Sequence, residues 1–136
     1  MPQYKYAVDL RTMNNCPPPA ASKGVQAGYR FVWCPVGVDC FLPIAKMETT
    51  RSNNPNSKPS CSAFAISLFV DEVSARKKLK EVHGFKKGAM LWTHLAVVGL
   101  TPSHGRQTEP SKTGHFELFE YADVELHTVS TLVGPL

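Results

Sequence analysis

The sequence predicts an α+β fold, in which a curved mixed or antiparallel sheet of about six strands carries one main helix, residues 71–83. Short runs rich in aromatic and β-branched residues recur along the chain, and segments rich in proline, glycine, serine and asparagine separate them. One segment instead repeats apolar residues at the spacing of an amphipathic helix. The chain has 136 residues, and we expect residues 1–136 to form a single domain.

In the first 60 residues the sequence predicts two strands and two loops. Residues 3–10, QYKYAVDL, alternate in part between apolar and polar side chains and predict a first strand. The consecutive prolines at 17–19 predict a stiff connector, because proline fits neither a helix interior nor a central strand. Residues 29–36, YRFVWCPV, predict a strand that Pro35 ends. Residues 49–60 are rich in turn-forming residues and predict a long exposed loop.

The middle of the chain predicts a strand that leads directly into the main helix. Residues 62–70, SAFAISLFV, form a nearly unbroken apolar run, which is typical of a strand buried on both faces. Asp71 follows at the N-cap position, and Gly84 lies where a left-handed C-cap is expected. The apolar stripe of the helix, which Val73 would extend at the first turn, consists of Ala75, Leu79 and Val82.

The last third of the chain predicts three more strands. Residues 89–100, AMLWTHLAVVGL, are strongly apolar and predict a buried strand. Residues 101–114 are polar and predict a second long loop. Residues 115–133 alternate imperfectly and predict two strands that separate near Ala122 and Asp123.

Charge is distributed unevenly along the chain. The formal net charge is +4, but residues 88–136 hold two basic and five acidic residues. Basic residues concentrate in and just after the predicted helix, and we define the basic helix face as Arg76, Lys77, Lys80, Lys86 and Lys87. A run of basic residues on a helix is most often a solvated surface. The alternative is a docking surface, whose positive charge would attract an acidic protein or RNA.

The cysteines and the N-terminus predict a cytoplasmic protein with reduced thiols. The N-terminal residues MPQYKYAVDLR lack the apolar core of a secretion signal, and no apolar run approaches the ~20 residues of a membrane span. The four cysteines show no CxxC spacing, and no short-spaced pair of cysteines or histidines indicates a metal site. We therefore expect four free thiols, no metal and no membrane association.

Histidines and carboxylates offer candidates for chemistry but no sharp motif. HExxH, GxSxG and P-loop patterns do not occur. His94 and His115 fall on predicted strands, where a histidine is usually packed and hydrogen-bonded. Four acidic residues crowd one apolar region and form either a solvated sheet edge or a catalytic group: Glu117, Glu120, Asp123 and Glu125.

Three positions resemble a known enzyme family. An arginine in YRFV (Arg30), a serine in PSCSAF (Ser62) and a glutamate in FELFE (Glu120) occur in this order. The order resembles the R–S–E order of ADP-ribosyltransferase-like domains. The resemblance implies that Arg30 anchors the phosphates of NAD, that the Ser62 strand supports the pocket, and that Glu120 steadies a developing oxocarbenium ion. The middle motif is SCS where the family has STS, and Glu117 precedes Glu120 by three positions where the family has Glu-x-Glu.

Two functional hypotheses follow. The first is a small cytosolic accessory, regulatory or inhibitor-like binding protein that needs no cofactor and contacts an acidic protein or RNA through the basic helix face. The alternative is a small NAD-using ADP-ribosyltransferase-like enzyme or toxin domain, with Arg30, Ser62 and Glu120 in its catalytic site. The oligomeric state stays open.

Overall fold

The structure, a computed structural model, describes residues 3–47, 60–83 and 92–136. The side chains of residues 82 and 83 are outside this description. Several predicted features therefore lie outside the described residues: the loop 49–60 except its last position, the Val82 side chain of the apolar stripe, the Gly84 cap, Lys86, Lys87 and the start of the strand 89–100.

The fold is α+β, as the sequence predicts. Six strands form one open antiparallel sheet in the order β4-β5-β2-β1-β3-β6. The strands are β1 (Ala27–Val32), β2 (Ile66–Phe69), β3 (His94–Gly99), β4 (Gly105–Gln107), β5 (His115–Glu120) and β6 (Ser130–Pro135). The helices are α1 (Ala7–Leu10), α2 (Ile44–Met47) and α3 (Glu72–His83). Short 3-10 helices span Val38–Phe41, Cys61–Phe64 and Leu126–Val129.

Strand β1 lies at the centre of the sheet. It pairs with β3 along its whole length, from Ala27 opposite Gly99 to Val32 opposite His94. On its other side it pairs with β2, where a Cβ at Gly28 would lie only 3.0 Å from the Leu68 side chain. The absence of a side chain at this position therefore lets the Leu68 side chain pack directly against the β1 backbone.

Helix α3 covers one face of the sheet, and the predicted Asp71 cap and the buried positions Ala75 and Leu79 are confirmed. The Ser74 backbone N–H donates to Asp71 Oδ1 at 2.7 Å, so Asp71 caps the helix. Ala75 and Leu79 are buried, and Ala75 packs in a cluster with Phe69. Val73 does not extend the stripe: it is 77% exposed, because two helical positions before Ala75 place it on the far side of the helix.

The opposite face of the sheet is covered by irregular chain. Cys40 and Phe41 from one 3-10 helix, and Leu126 from another, pack on the apolar side chains of the central strands. The N-terminal segment lies at the end of β5, where Lys5 contacts Glu120 and Leu10 packs in a cluster with Phe119 on the face that α3 also covers. The cavities described below lie at this junction.

Three strand predictions were wrong in part. Within residues 3–10, Ala7–Leu10 form the short helix α1, with Tyr6 and Leu10 packed in one cluster at helical spacing, and Tyr4 makes an isolated sheet-like bridge to Tyr121. The predicted strand 62–70 is a 3-10 helix up to Phe64, and only its second half is β2.

The predicted loop 101–114 contains the edge strand β4. Its residues Gly105–Gln107 are too few and too polar to give a period-2 pattern, and pairing with β5 forms the strand. The loop ends at Gly114, whose positive φ of 82° favours glycine. The predicted strand 29–36 also ends earlier, at Val32, and the two strands predicted in 115–133 are β5 and β6.

The prediction of four free thiols was wrong. Cys16 and Cys61 form a disulfide, and Cys34 and Cys40 are the cysteines outside it. The two partners are separated by 45 positions, so their spacing carries no local signal. Folding brings their Cα atoms to 5.7 Å, a usual separation for a disulfide.

In the described part of the chain, no helix has the length and apolar character that crossing a membrane requires.

Candidate ligand-binding site

Two adjoining cavities lie where the end of β5 meets the N-terminal segment. The Glu120 cavity, of about 320 Å³, is lined by Lys5, Tyr6, Val38, Phe41, Leu42, Glu120, Ala122, Glu125, Leu126 and His127. The outer cavity, of about 620 Å³, is lined by Gln3, Pro102, Ser103, His104, Tyr121, Ala122, Asp123, Val124, Glu125 and Thr128. Ala122 and Glu125 line both cavities, so the two spaces are neighbours.

Glu120, the last residue of β5, is buried with one carboxylate oxygen unpaired. The residue is 3% exposed. Its Oε2 accepts a hydrogen bond from Lys5 Nζ at 3.0 Å, and Lys5 Nζ also donates to the Val124 carbonyl. Among the described residues, no donor lies within hydrogen-bond distance of Glu120 Oε1. A buried polar atom without a partner costs about 1–3 kcal/mol, so this oxygen favours a ligand that donates to it.

The electric field in the Glu120 cavity has contributions from both signs of charge. Burial raises the pKa of the Glu120 carboxyl, and the positive charges of Lys5 and Arg30 oppose that rise. Burial, together with the charges of Glu120 and Glu125, raises the pKa of Tyr6 to about 12. The negative charges of both glutamates therefore act at the Tyr6 hydroxyl, on the wall of the cavity.

A second unpaired atom belongs to His127. Within the described ranges His127 Nδ1 is buried and has no hydrogen-bond partner. Glu125 Oε2 lies 3.7 Å from it, which is beyond hydrogen-bond reach. The cavity therefore combines the Glu120 carboxylate with a second buried polar atom that lacks a partner.

Arg30 supports the wall of this cavity from behind. Its Nε donates to the Cys40 carbonyl at 2.8 Å, and its terminal nitrogens donate to the carbonyls of Ser67 and Leu42 at 3.0 and 3.1 Å. The guanidinium also lies 5.7 Å from the centre of the Phe41 ring. Burial lowers the pKa of Arg30 to about 10, against the opposing influence of Glu120. Arg30 thereby fixes the segment that carries Phe41 and Leu42 into the cavity wall.

Of the three residues in the R–S–E order, the structure brings two together. Arg30 and Glu120 are close enough for their charges to interact. Ser62 is exposed on the 3-10 helix Cys61–Phe64, lines neither cavity and has its Oγ 3.2 Å from Ser60 Oγ.

The described part of the basic helix face is smaller than the sequence indicates. Arg76 Nε donates to Glu72 at 2.8 Å, and another of its nitrogens donates to the Pro135 carbonyl at 3.1 Å, so Arg76 is held towards β6. Lys77 and Lys80 are exposed, and within the described residues neither has an acidic partner within 4.0 Å. These two lysines are the free cations of the face as far as the structure describes it.

The other histidines and carboxylates have packing contacts. His115 stacks edge-on against Phe69 with 5.5 Å between ring centres, and burial followed by the Lys78 charge lowers its pKa. Burial raises the pKa of Glu117, which lines neither cavity. Among residues 3–47, 60–83 and 92–136, no group of three or more histidine, cysteine or acidic side chains is arranged to hold a metal ion.

Three polar residues of the Glu120 cavity were not predicted from the sequence as site residues: Lys5, Tyr6 and His127. Lys5 and Tyr6 belong to the segment predicted as a strand, and no local pattern connects that segment to β5, more than 100 positions later. The bonds from Lys5 to Glu120 form only in the folded chain.

Comparisons of this chain with protein-family models, with curated proteins and with solved structures find no match. The site is therefore interpreted from its own chemistry. That chemistry consists of a buried carboxylate with one free oxygen, a second carboxylate at the rim, and aromatic side chains on the walls.

Proposed function

We propose that this protein is a binding protein that holds an ammonium or guanidinium group of its ligand in the Glu120 cavity. The observation that carries the proposal is the buried carboxylate of Glu120, a residue that lines the cavity and whose Oε1 has no donor among the described residues. A charged donor forms the strongest hydrogen bond with a carboxylate, so a cation gains more from this oxygen than a neutral group does.

The other cavity residues support a cationic ligand. Lys5 is already engaged by Glu120 Oε2 and the Val124 carbonyl, so its charge is committed to the wall. Tyr6 and Phe41 contribute aromatic side chains to the lining.

Calorimetric titration of the protein with n-butylammonium and methylguanidinium tests this proposal, with n-butanol as the uncharged comparison. We expect the two cations to bind and butanol not to bind. Glu120→Gln should weaken cation binding at least about tenfold, because a hydrogen bond to a charged group contributes about 1.5–3 kcal/mol. Circular dichroism checks that the variant is folded.

Glu117→Gln is the matched control. Glu117 lies on the same strand, is partly buried and lines neither cavity, so the same chemical change there should leave the affinity unchanged. Equal loss in both variants, or no cation binding by the unmodified protein, would reject the Glu120 cavity as the site.

A second candidate function is docking of an acidic protein or RNA on the basic helix face. It is supported by the exposure of Lys77 and Lys80, which have no acidic partner within 4.0 Å among the described residues. Reversal of both lysines to glutamate should weaken binding of a labelled single-stranded RNA or an acidic protein, and the loss should shrink as salt rises. The double reversal of the exposed Lys23 and Lys112 applies the same charge change elsewhere on the surface, and equal effects would indicate nonspecific attraction.

The NAD-using alternative, an ADP-ribosyltransferase-like enzyme or toxin domain, is supported by Glu120 facing a cavity close to Arg30. In this alternative the protein binds NAD and releases nicotinamide, and Glu120→Gln abolishes release while the protein stays folded. Absence of NAD binding at millimolar concentration would remove the alternative. We also propose a cytoplasmic location, and the Cys16–Cys61 disulfide, which is more usual in an oxidising compartment, argues against it.

A further inference from the structure

Acidic residues continue from the Glu120 cavity into the outer cavity. Glu120 lines the inner space, Glu125 lines both spaces, and Asp123 lines the outer one. Glu120 is buried, whereas Glu125 and Asp123 are exposed at the rim. A ligand that spans both cavities therefore lies beside two carboxylates in addition to Glu120.

Apolar side chains share the walls of both cavities with these carboxylates and with other polar groups. Phe41 and Leu126 line the inner cavity, and Pro102, Tyr121 and Val124 line the outer one. Methylene groups of a ligand would lie against these side chains and be removed from water. Both cavities thus combine charged positions with apolar surface.

We propose that the two cavities together bind a linear aliphatic polyamine, with one ammonium group at Glu120 Oε1 and the following ones at Glu125 and Asp123. This inference rests on the proposed function, because the first ammonium group occupies the site assigned there. A linear polyamine matches both features of the walls, since it alternates ammonium groups with short methylene chains. Together the cavities of about 320 and 620 Å³ extend well beyond the space of one ammonium group.

The charges that face this path favour a ligand with several positive groups. Three carboxylates line the two cavities, and Lys5 is the one lysine or arginine in their described lining. Lys5 already donates to Glu120 Oε2 and to the Val124 carbonyl. Arg30 contributes a second positive charge from behind, but its donors are directed at the three carbonyls that it binds. A polyanion would be repelled by the same lining.

Calorimetric titrations with n-butylamine, 1,4-diaminobutane and spermidine, at pH 7.5 and fixed ionic strength, test the inference. We expect the affinity to rise about threefold with each added ammonium group, because an exposed ion pair strengthens binding by about that factor. Asp123→Asn should lower the spermidine affinity and leave the n-butylamine affinity unchanged. Asp39→Asn is the control, since Asp39 is exposed and lines neither cavity.

The outcomes separate this inference from the proposed function. If spermidine binds no more tightly than n-butylamine, while Glu120→Gln still abolishes n-butylamine binding, the polyamine inference is overturned and the proposed function stands. If n-butylamine binds the wild type and Glu120→Gln equally, or binds neither, both are overturned. A Lys-Ala-Lys peptide that binds more tightly than spermidine would assign the path to a peptide and also overturn the inference.

Discussion

Glu120 receives both a backbone and a side-chain hydrogen bond from the same residue. Lys5 N donates to the Glu120 carbonyl at 2.9 Å, while Lys5 Nζ donates to Glu120 Oε2. Lys5 thus holds the end of β5 in place and offsets part of the cost of burying the carboxylate. The other oxygen, Oε1, is buried and has no hydrogen-bond partner among the described residues.

The affinity for a cation should depend on pH through Glu120. Burial raises the pKa of this carboxyl above its ordinary value of 4.5, against Lys5 and Arg30 and with Glu125 adding to the rise. We expect n-butylamine to bind more weakly at pH 4.5 than at pH 7.5, because protonation removes the charge that it contacts. Titrations at both values measure this, and Glu120→Gln should remove most of the difference. An unchanged affinity at pH 4.5 would show that the ionised Glu120 carboxylate is not the acceptor.

The same raised pKa sets the sign of the contribution of Glu120 to stability. A carboxyl whose pKa is higher in the folded than in the unfolded protein favours folding most while it is protonated, at pH values below the unfolded pKa. This contribution is lost as the pH rises through the folded pKa. Ionisation of Glu120 therefore costs stability, which cation binding at neutral pH would restore.

A residue of the site was predictable from the sequence only where a local pattern marks it. Glu120 was selected from its acidic neighbours and from the R–S–E order, and it does line the cavity. Lys5 and His127 were not selected as site residues, because the contacts that bring them to the cavity join distant parts of the chain. Ser62 was selected from a short pattern, and the structure places it outside both cavities.

Helix α3 joins local and tertiary stabilisation. Asp71 caps its N-terminus, and the hydrogen bonds from Ser74 lower the pKa of Asp71, so this cap is retained at neutral pH and lost as the pH falls through that pKa. Ala75 and Leu79 then bury one side of the helix against the sheet. Tertiary packing supplies most of the stability of such a helix, because an isolated helix of this length is marginal in water.

Leu79→Ala should destabilise the protein by about 2–5 kcal/mol, because Leu79 is 7% exposed and its removal leaves a cavity under the helix. Chemical denaturation followed by circular dichroism measures the change in the free energy of unfolding. Lys80→Ala, at the adjacent exposed position, should change it by about 0.5 kcal/mol or less. Equal, small effects in both variants would mean that Leu79 does not pack in the core.

Elements with local signals were predicted, and elements formed by tertiary contacts were not. The cap, the apolar stripe and the buried run before α3 lie within about twenty residues, so the sequence alone indicates them. Strand β4 is polar and becomes a strand through its pairing with β5. Residues 3–10 form α1 and one isolated bridge because of their packing against β5 and the 3-10 helix Cys61–Phe64.

At the scale of the whole molecule, the disulfide ties the N-terminal segment to the chain before β2. Cys16 and Cys61 lie beside the cluster of Leu10, Phe64 and Phe119, and the same N-terminal segment carries Lys5 into the cavity. The crosslink restricts the unfolded chain across 45 positions and so favours the folded state.

The double substitution Cys16→Ser with Cys61→Ser should lower the free energy of unfolding by about 2–4 kcal/mol. Denaturation of the oxidised protein and of this variant measures the change, with Cys34→Ser, an exposed cysteine outside the disulfide, as the control. Thiol titration of the unfolded, non-reduced protein should count two free thiols, those of Cys34 and Cys40. Four free thiols would contradict the disulfide and agree with a reducing, cytoplasmic environment.

The strand order also determines the sequence of events during folding. Only β4 with β5 and β1 with β2 are sheet neighbours that follow each other in the chain; β1 with β3, β2 with β5 and β3 with β6 join distant segments. The short β4–β5 hairpin can close within microseconds, whereas the central strand β1 acquires β3 only after more than sixty intervening residues have been brought together. Chains dominated by such non-local pairings fold on the scale of about milliseconds to seconds. During synthesis, β2 emerges well before its partner β5. The apolar side chains of β2 are therefore exposed until β5 pairs with it, and this exposure makes β2 prone to aggregation.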